Sequence, residues 1–258
     1  MPFTLAHPAA VLPLRRVPLL MTVPLIIGAV APDIPYYFPA RIAQYIPHQT
    51  HTLRGTFTLD VPMGMAVLLI LWFLRAPLTA PLGARARTLC CTALQRFGCR
   101  PLHWMLAPLS ILVGAWTHVL WDSFTHPYGW MVQHIAMLRV PITIGGYSGE
   151  LCHVLQYLSS VLGLTALAIW FLRRPAPSAT DEPPARSGGL ILMAALLLAA
   201  AAPAGIEVHR DVTPHITSIY RICYLVLTRM IAWFALFYTI AGLVIARVSR
   251  LPVRGPVS

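Results

Sequence analysis

The stretch Leu151–Leu172, LCHVLQYLSSVLGLTALAIWFL, decides the fold. It contains no Asp, Glu, Lys or Arg, and it is bracketed by Glu150 on one side and by Arg173 and Arg174 on the other. A helix needs about 20 consecutive apolar residues to cross a bilayer. The stretch therefore predicts a membrane-spanning helix.

Five further apolar stretches flank it, at Val17–Ala31, Thr56–Leu74, Met105–Trp121, Gly188–Ile206 and Ile222–Ala246. The first is the weakest, because it is short and contains Pro18 and Pro24. Together they predict an all-α, polytopic membrane helix bundle with five to six membrane segments.

The composition agrees with this class. Of the 258 residues, 57% are hydrophobic and 10% are charged, and the mean hydropathy is +0.70. Soluble domains contain about 25% charged residues, so a soluble, disordered or disulfide-framework protein is excluded. The net charge of +11 comes from Arg, which membrane proteins collect in cytoplasmic loops. We therefore predict no nucleic-acid partner.

The spacing of the cysteines predicts neither a zinc site nor a disulfide framework. The five cysteines form no Cys-x-x-Cys pair, which argues against a structural zinc cluster and a disulfide scaffold. They are Cys90, Cys91, Cys99, Cys152 and Cys223.

Residues 174–187 are Pro-rich and polar, which predicts a flexible cytoplasmic linker. The linker divides the chain into a helical membrane core, residues 1–173, and a C-terminal pair of membrane helices with a short basic tail, residues 188–258.

Arg placement predicts the orientation. Three Arg-rich segments alternate with Arg-poor ones along the chain. The positive-inside rule places the Arg-rich segments and the C-terminus in the cytoplasm. The remaining segments, residues 32–55, 122–150 and 207–221, are then outside. Most of the histidines and acids fall in these outer segments or at the helix ends beside them.

Three interpretations of the N-terminus stay open: a spanning helix, a short helical hairpin that turns at Arg15 and Arg16, and a cleaved signal peptide. They differ in the side of the membrane on which they place His7.

The strongest local signal is Thr117-His118-Val119-Leu120-Trp121-Asp122. Residues i and i+4 share a helix face, about 6 Å apart at Cβ, so one helix offers two ligands to one metal. His126 continues the same line, and Pro127 and Gly129 end the helix. A hydrogen-bonded His–Asp pair at a helix end is the alternative interpretation.

Asp33 and two histidines, His48 and His51, lie in one predicted outer segment. Alone, each also fits a helix terminus or a solvated loop. With His118 and Asp122 they gather on one membrane face, where acids near hydrocarbon are costly and usually functional or paired.

At this point the residues resemble a known family. Met1-Pro2-Phe3-Thr4-Leu5-Ala6-His7-Pro8, Gly28–Asp33 and His51–Gly55 look like the signature of an uncharacterised bacterial integral-membrane family, a domain of unknown function opening with Met-Pro-Phe-Thr-x-x-His-Pro. The resemblance covers about residues 1–170. More distantly, the series His, Pro-Asp, His, His-x-x-x-Asp is similar to predicted membrane-bound metal-dependent hydrolases and to zinc-dependent phospholipase C.

The resemblance implies that His7, Asp33, His51, His118 and Asp122 bind one or two divalent metal ions. Imidazole and carboxylate ligands favour zinc among the common metals, with manganese and iron as the alternatives. The resemblance departs from phospholipase C downstream, where Glu150 precedes His153 instead of following a histidine. It also favours the hairpin, which brings His7 to the same face as Asp33.

We therefore expect a membrane-embedded metal-dependent hydrolase, acting on a phosphoester or lipid-like ester at the outer face of the bacterial inner membrane. Asp122 or Glu150, where it is not itself a metal ligand, is the candidate general base. His126 and His134 are candidate outer ligands or candidate proton donors to the leaving group. The alternative is a non-catalytic membrane protein, either a metal or proton carrier or a scaffold. Transporters place ligands at the bilayer midplane between repeated halves, and neither feature is visible in the sequence.

Overall fold

The computed structural model describes residues 3–39, 46–175, 189–211 and 219–248. Its α-helices, numbered in chain order, are α1 Thr22–Gly28, α2 Ile46–Thr50, α3 Leu53–Phe73, α4 Arg75–Thr79, α5 Ala84–Gly98, α6 Pro101–Thr125, α7 Trp130–His134, α8 Leu151–Leu172, α9 Gly189–Asp211 and α10 Ile219–Val248. The predicted all-α fold is confirmed.

Five of the described helices, α3, α6, α8, α9 and α10, are long and apolar enough to cross a bilayer. They correspond to the last five predicted apolar stretches. Large apolar side chains remain exposed along them, among them Leu162 of α8 and Leu198 of α9. Such surfaces suit contact with lipid, and the protein is a multi-pass membrane protein.

The N-terminal segment forms no spanning helix. Its parts are the 3₁₀ turns Thr4–Ala9 and Leu14–Arg16, helix α1, and the 3₁₀ turn Ala31–Tyr37. Helix α1 is 7 residues long, about 10 Å, which is far less than the bilayer requires. The chain reverses direction within this segment, so that Thr4 lies beside Asp33, as in the predicted hairpin.

The described residues group into two compact units. The first comprises residues 3–34, 46–68 and 100–175, and the second comprises residues 35–39, 69–99, 189–211 and 219–248. The predicted linker, residues 174–187, lies outside the described residues from 176 onward, as does the basic tail from 249.

In the first unit, α1 packs closely on α6. A Cβ on Gly28 would lie 2.0 Å from the carbonyl oxygen of Ile111, and one on Gly114 would lie 2.3 Å from that of Leu25. Real Cβ atoms do not approach so closely, so both helices need glycine at the crossing. Leu25 is also part of a buried apolar cluster with Val11 and Ala29.

A small antiparallel hairpin also belongs to the first unit. Strands β1 Pro141–Ile144 and β2 Tyr147–Glu150 pair with Ile144 opposite Tyr147. Gly145 in the turn has φ +58°, a left-handed conformation that favours glycine and is typical of tight hairpin turns. The sequence analysis did not predict this hairpin, although Gly145-Gly146 between two apolar residues is its usual signal.

In the second unit, α9 and α10 are joined by a polar contact. Arg229 of α10 is buried, its Nε lies 3.5 Å from Oε2 of Glu207, and its Nη1 donates to the Phe38 carbonyl at 2.6 Å. Trp233 Nε1 donates to the other oxygen of Glu207 at 3.2 Å. A buried guanidinium is tolerated where it is paired in this way.

Candidate metal centre

Helix α6 supplies two of the predicted ligands. His118 and Asp122 lie one turn apart near its C-terminal end, and both side chains are buried. The helix ends at Thr125 because His126 precedes Pro127, and a residue before proline is driven out of the α region. The ending leaves the last helical turn facing the N-terminal segment.

The close packing of α1 on α6 orients His118. Its Nδ1 lies 2.8 Å from the carbonyl oxygen of Ala29, directly after α1. When Nδ1 donates to this carbonyl, Nε2 carries the lone pair and faces Asp33 and Asp122. Metal-binding histidines are usually held by such a second hydrogen bond.

Asp33 enters from the 3₁₀ turn Ala31–Tyr37. Thr4 donates its hydroxyl to Oδ2 at 2.7 Å, and the side chain is 1% exposed. Oδ1 faces the Nε2 atoms of His51 and His118, and no hydrogen-bond donor in the described part of the chain satisfies it. A buried carboxylate oxygen without a donor is costly unless another group binds it.

His51 follows α2 and completes the arrangement. The Thr50 hydroxyl donates to the Pro32 carbonyl at 2.8 Å, which ties α2 to the turn that carries Asp33. His51 Nδ1 lies 2.8 Å from the Pro47 carbonyl, so His51 is held as His118 is. Its side chain is 22% exposed, so the centre is accessible from this side.

Asp33, His51, His118 and Asp122 form what we call the His–Asp cluster. One ligand atom from each lies within 4.8 Å of the others. The four N···O distances between its imidazoles and carboxylates are 3.4, 3.4, 3.6 and 3.6 Å. These exceed ordinary N–H···O hydrogen bonds of about 2.7–3.2 Å. Two ligands at about 2.0–2.1 Å from a tetrahedral zinc ion are about 3.3 Å apart, so the spacing fits a divalent metal ion better than a set of hydrogen bonds.

The electrostatics of the cluster also favour a bound cation. Burial alone would raise the pKa of Asp33, but His118 and His51 outweigh it and hold that pKa below its usual range. Burial opposes the charge on His51, but the carboxylates of Asp122 and Asp33 outweigh it and raise the pKa of His51 to about 9. Two enclosed carboxylates therefore attract positive charge to the point where the four ligand atoms meet.

His7 lies next to this cluster, and the structure gives it a different position from the other four. Its ring stacks on His118 with centroids 3.7 Å apart, and its Nε2 lies 3.5 Å from Asp122 Oδ1. Asp122 faces His51 and His118 through its other oxygen, Oδ2. Burial, aided by repulsion from His118, lowers the pKa of His7 to about 3, so its ring is neutral.

His126, the candidate proton donor, lies on the same side of Asp122 as His7. Its Nδ1 is 3.6 Å from Asp122 Oδ1 and 3.1 Å from the Asp122 backbone carbonyl. The side chain is 26% exposed. It is thus placed between the His–Asp cluster and the surface.

Glu150, the second candidate base, is not among the side chains gathered around Asp33. It caps the N-terminus of α8 in a capping box with His153, and it forms a separate group with Cys152 and His153. A capping box satisfies backbone N–H groups at a helix start, which accounts for the position of Glu150. Its catalytic role stays a prediction.

Asp60 is a residue that the sequence analysis did not select. It is fully buried in α3, at the end of the π turn Thr56–Asp60, and neither carboxylate oxygen has a hydrogen-bond partner within the described residues. It interacts electrostatically with His51, His118 and Asp33. An acid inside an apolar stretch was the available signal, and π turns occur often at functional sites.

Comparison with known proteins identifies the family of the chain but no characterised relative. The sequence profile of the domain of unknown function DUF4184 matches residues 1–249. No curated protein and no solved structure matches the chain. Because the match covers nearly the whole length, the chain belongs to the DUF4184 family.

Proposed function

We propose that the protein is a membrane-embedded metal-dependent hydrolase that acts on a phosphoester or lipid-like ester. One observation carries the proposal: two imidazole Nε2 atoms and two carboxylates converge in a buried cluster at 3.4–3.6 Å spacing. Each histidine is oriented by a backbone carbonyl, as metal ligands usually are. Imidazole and carboxylate ligands suit zinc best among the common metals.

The His–Asp cluster would hold the tightly bound ion. Such an ion polarises a phosphoryl or ester oxygen and lowers the pKa of water to about 7. The cluster is buried except on the His51 side, so its residues exclude bulk water from all but one approach. Thr4, Ala29 and Pro47 fix the orientation of Asp33, His118 and His51, respectively.

Asp122 and His126 are the proposed proton-transfer groups. Asp122 faces the cluster with Oδ2, which leaves Oδ1 to accept the proton of the attacking water. His126 lies 3.6 Å from Oδ1 and reaches the surface, so it is placed to protonate the leaving group. His7 is proposed as the ligand that, with Oδ1, holds a second ion when the metal concentration is high.

We also propose the membrane orientation and division that the Arg distribution favours: a bacterial inner-membrane protein with a cytoplasmic C-terminus, an outward-facing site, and the parts 1–173, 174–187 and 188–258. A fluorescent protein fused to the C-terminus should mature in the cytoplasm. His134→Cys, in a background without the native cysteines, should react with an impermeant maleimide added to spheroplasts. Limited proteolysis of inside-out vesicles should cut within 174–187.

The hydrolase proposal is tested on the detergent-purified chain. We expect about one equivalent of tightly bound metal, and chelator-sensitive turnover of bis(p-nitrophenyl) phosphate. His118→Ala should lose both the metal and the turnover. The matched control is His103→Ala, which changes the same residue type on the same helix about 22 Å away.

Two results would count against it. Less than about a quarter-equivalent of metal contradicts a four-ligand site. Full metal occupancy without turnover of any phosphodiester or carboxylic ester tested would favour the alternative, a metal carrier.

A further inference from the structure

A cavity of about 460 Å³ adjoins the His–Asp cluster in the first unit. Its walls come from the 3₁₀ turn Thr4–Ala9, Trp121 of α6, and one face of α8. This volume lies within the range of about 300–1,000 Å³ that is typical of ligand sites. His7 belongs both to the wall of this cavity and to the surroundings of Asp122. His7 therefore lies between the cavity and the candidate metal centre.

The chemistry of the walls favours an apolar ligand. Nearly all of the surface is apolar, and His7 and Ser159 are the polar residues among the lining side chains other than the Trp121 indole. The Ser159 hydroxyl already donates to the Gln156 carbonyl at 3.0 Å. Away from His7, a polar ligand would lose its hydrogen bonds to water without replacement, so this part of the cavity favours a hydrocarbon occupant.

The shape of the cavity fits one lipid chain. Its α8 wall runs along a single helix face from Leu155 to Ala166, a length of about 16 Å. One leaflet contributes about 15 Å to a hydrocarbon core about 30 Å thick. Leu158 and Leu162 on this face are more than half exposed, so the cavity opens sideways toward the bilayer.

Small residues create the space. Ala6, Ala9 and Ala10 form one wall, and Gly163 and Ala166 belong to the other. A Cβ on Gly163 would lie 2.9 Å from the Ala6 carbonyl oxygen. Glycine therefore lets the segment that carries His7 approach α8, and substitution there would move the candidate centre itself.

We propose that this cavity binds the acyl chain of a membrane lipid whose ester or phosphoester head reaches the His–Asp cluster. The proposal rests on the proposed hydrolase function and specifies its substrate class, an acylated lipid taken directly from the bilayer. His7 lies where the chain-binding cavity adjoins the centre.

The test uses the full-length chain in phosphatidylcholine vesicles that contain a phosphatidylcholine with a diazirine on its acyl chain. After illumination, we expect adducts concentrated on residues 6–10 and 155–166. Ala166→Phe fills the cavity from an exposed helical position and should reduce these adducts about tenfold. Ala168→Phe is the matched control: the same change on the same helix, about 200° around its axis, should leave them unchanged.

Any of three results would overturn the proposal: adducts spread evenly over all lipid-facing helices, unchanged labelling in Ala166→Phe, or protein–protein crosslinks in place of lipid adducts.

A second measurement tests the lipid-binding proposal separately from the hydrolase proposal. Ala166→Phe should lower kcat/KM for an acylated substrate about tenfold more than it lowers kcat/KM for bis(p-nitrophenyl) phosphate, whereas Ala168→Phe should change neither. If no variant turns over either ester, the hydrolase proposal fails, while the labelling pattern still decides what the cavity binds.

Discussion

The imidazole of His7 lies nearly flat on that of His118, with ring centroids 3.7 Å apart and an interplanar angle of 19°. The two histidines are far apart in sequence, and they approach Asp122 through different oxygens. The contact joins the N-terminal segment to α6 at the candidate centre. Several measurable consequences depend on this arrangement.

Metal should stabilise the fold through the His–Asp cluster. A ligand present at about 100 times its Kd raises the free energy of unfolding by about 2.7 kcal/mol. Zinc should therefore raise the melting temperature of the detergent-solubilised protein, and a chelator should lower it. His118→Ala should show no zinc-dependent shift, whereas His103→Ala should behave like the wild type. An equal shift in His118→Ala would show that zinc binds elsewhere.

Excess zinc should inhibit turnover, because a second ion between His7 and Asp122 Oδ1 occupies the oxygen proposed to accept a proton. His7→Phe retains the ring stacked on His118 and removes the nitrogen. This variant should keep the tightly bound ion and lose the inhibition by excess zinc. Loss of the tight ion in His7→Phe would instead show that His7 belongs to the first coordination sphere. Elemental analysis and turnover at rising zinc concentrations distinguish the two results.

Gly114→Ala should weaken metal binding without changing any ligand. The new Cβ would lie 2.3 Å from the Leu25 carbonyl oxygen, so α1 must move, and Ala29 moves away from His118 Nδ1 with it. Loss of an orienting partner typically costs about 10–100-fold in metal affinity. Gly205→Ala is the control, since a Cβ there meets nothing within 4 Å and alanine is the better helix former by about 1 kcal/mol. Competition with a chromophoric chelator measures the affinities.

Glu207→Gln should destabilise the second unit and leave metal content unchanged. The substitution removes the carboxylate that faces the buried Arg229 guanidinium. Because the Glu207 side chain is 39% exposed, solvent screens the pair, and we expect a loss of about 1 kcal/mol in the free energy of unfolding. Adding Arg229→Met to Glu207→Gln should restore part of this loss, because it removes the buried positive charge that Glu207 balances in the wild type. The two single variants and the double variant form a cycle that isolates the coupling between the two residues. Equal stability of Glu207→Gln and wild type would show that the pair is energetically neutral.

The sequence was sufficient to predict the long helices and to predict which side chains gather at the centre. Leu151–Leu172 forms a helix with the predicted bounds, because an uncharged apolar stretch between charged residues leaves little choice in a bilayer. His118 and Asp122 meet on one face because i and i+4 spacing is a local property of a helix. The Arg distribution placed Asp33 and His51 on the same membrane face as α6's His–Asp pair, and the resemblance then selected them as ligands. No local rule brings an N-terminal turn to the end of α6.

The detailed geometry of the centre depends on tertiary packing and could not be predicted from the sequence. That Asp122 uses one oxygen toward His51 and His118 and the other toward His7 follows from how three separate segments pack. Gly28 and Gly114 set that packing, but a glycine in an apolar stretch does not reveal its partner. Asp60 escaped selection for a related reason: a π turn is not visible in apolar periodicity, so the direction of its side chain was not predictable.

The π turn at Thr56–Asp60 divides α3 into two lengths whose rotational phases differ, because one extra residue turns everything beyond it by about 100°. At the start of the turn, Thr56 accepts a hydrogen bond from Trp116 at 3.1 Å. After the turn, Val61–Phe73 continues as a regular helix. A single-residue deletion at Thr58 would merge the two phases into one. The apolar stretch would look unchanged by hydropathy, yet Asp60 could no longer face inward while the Trp116 contact is kept.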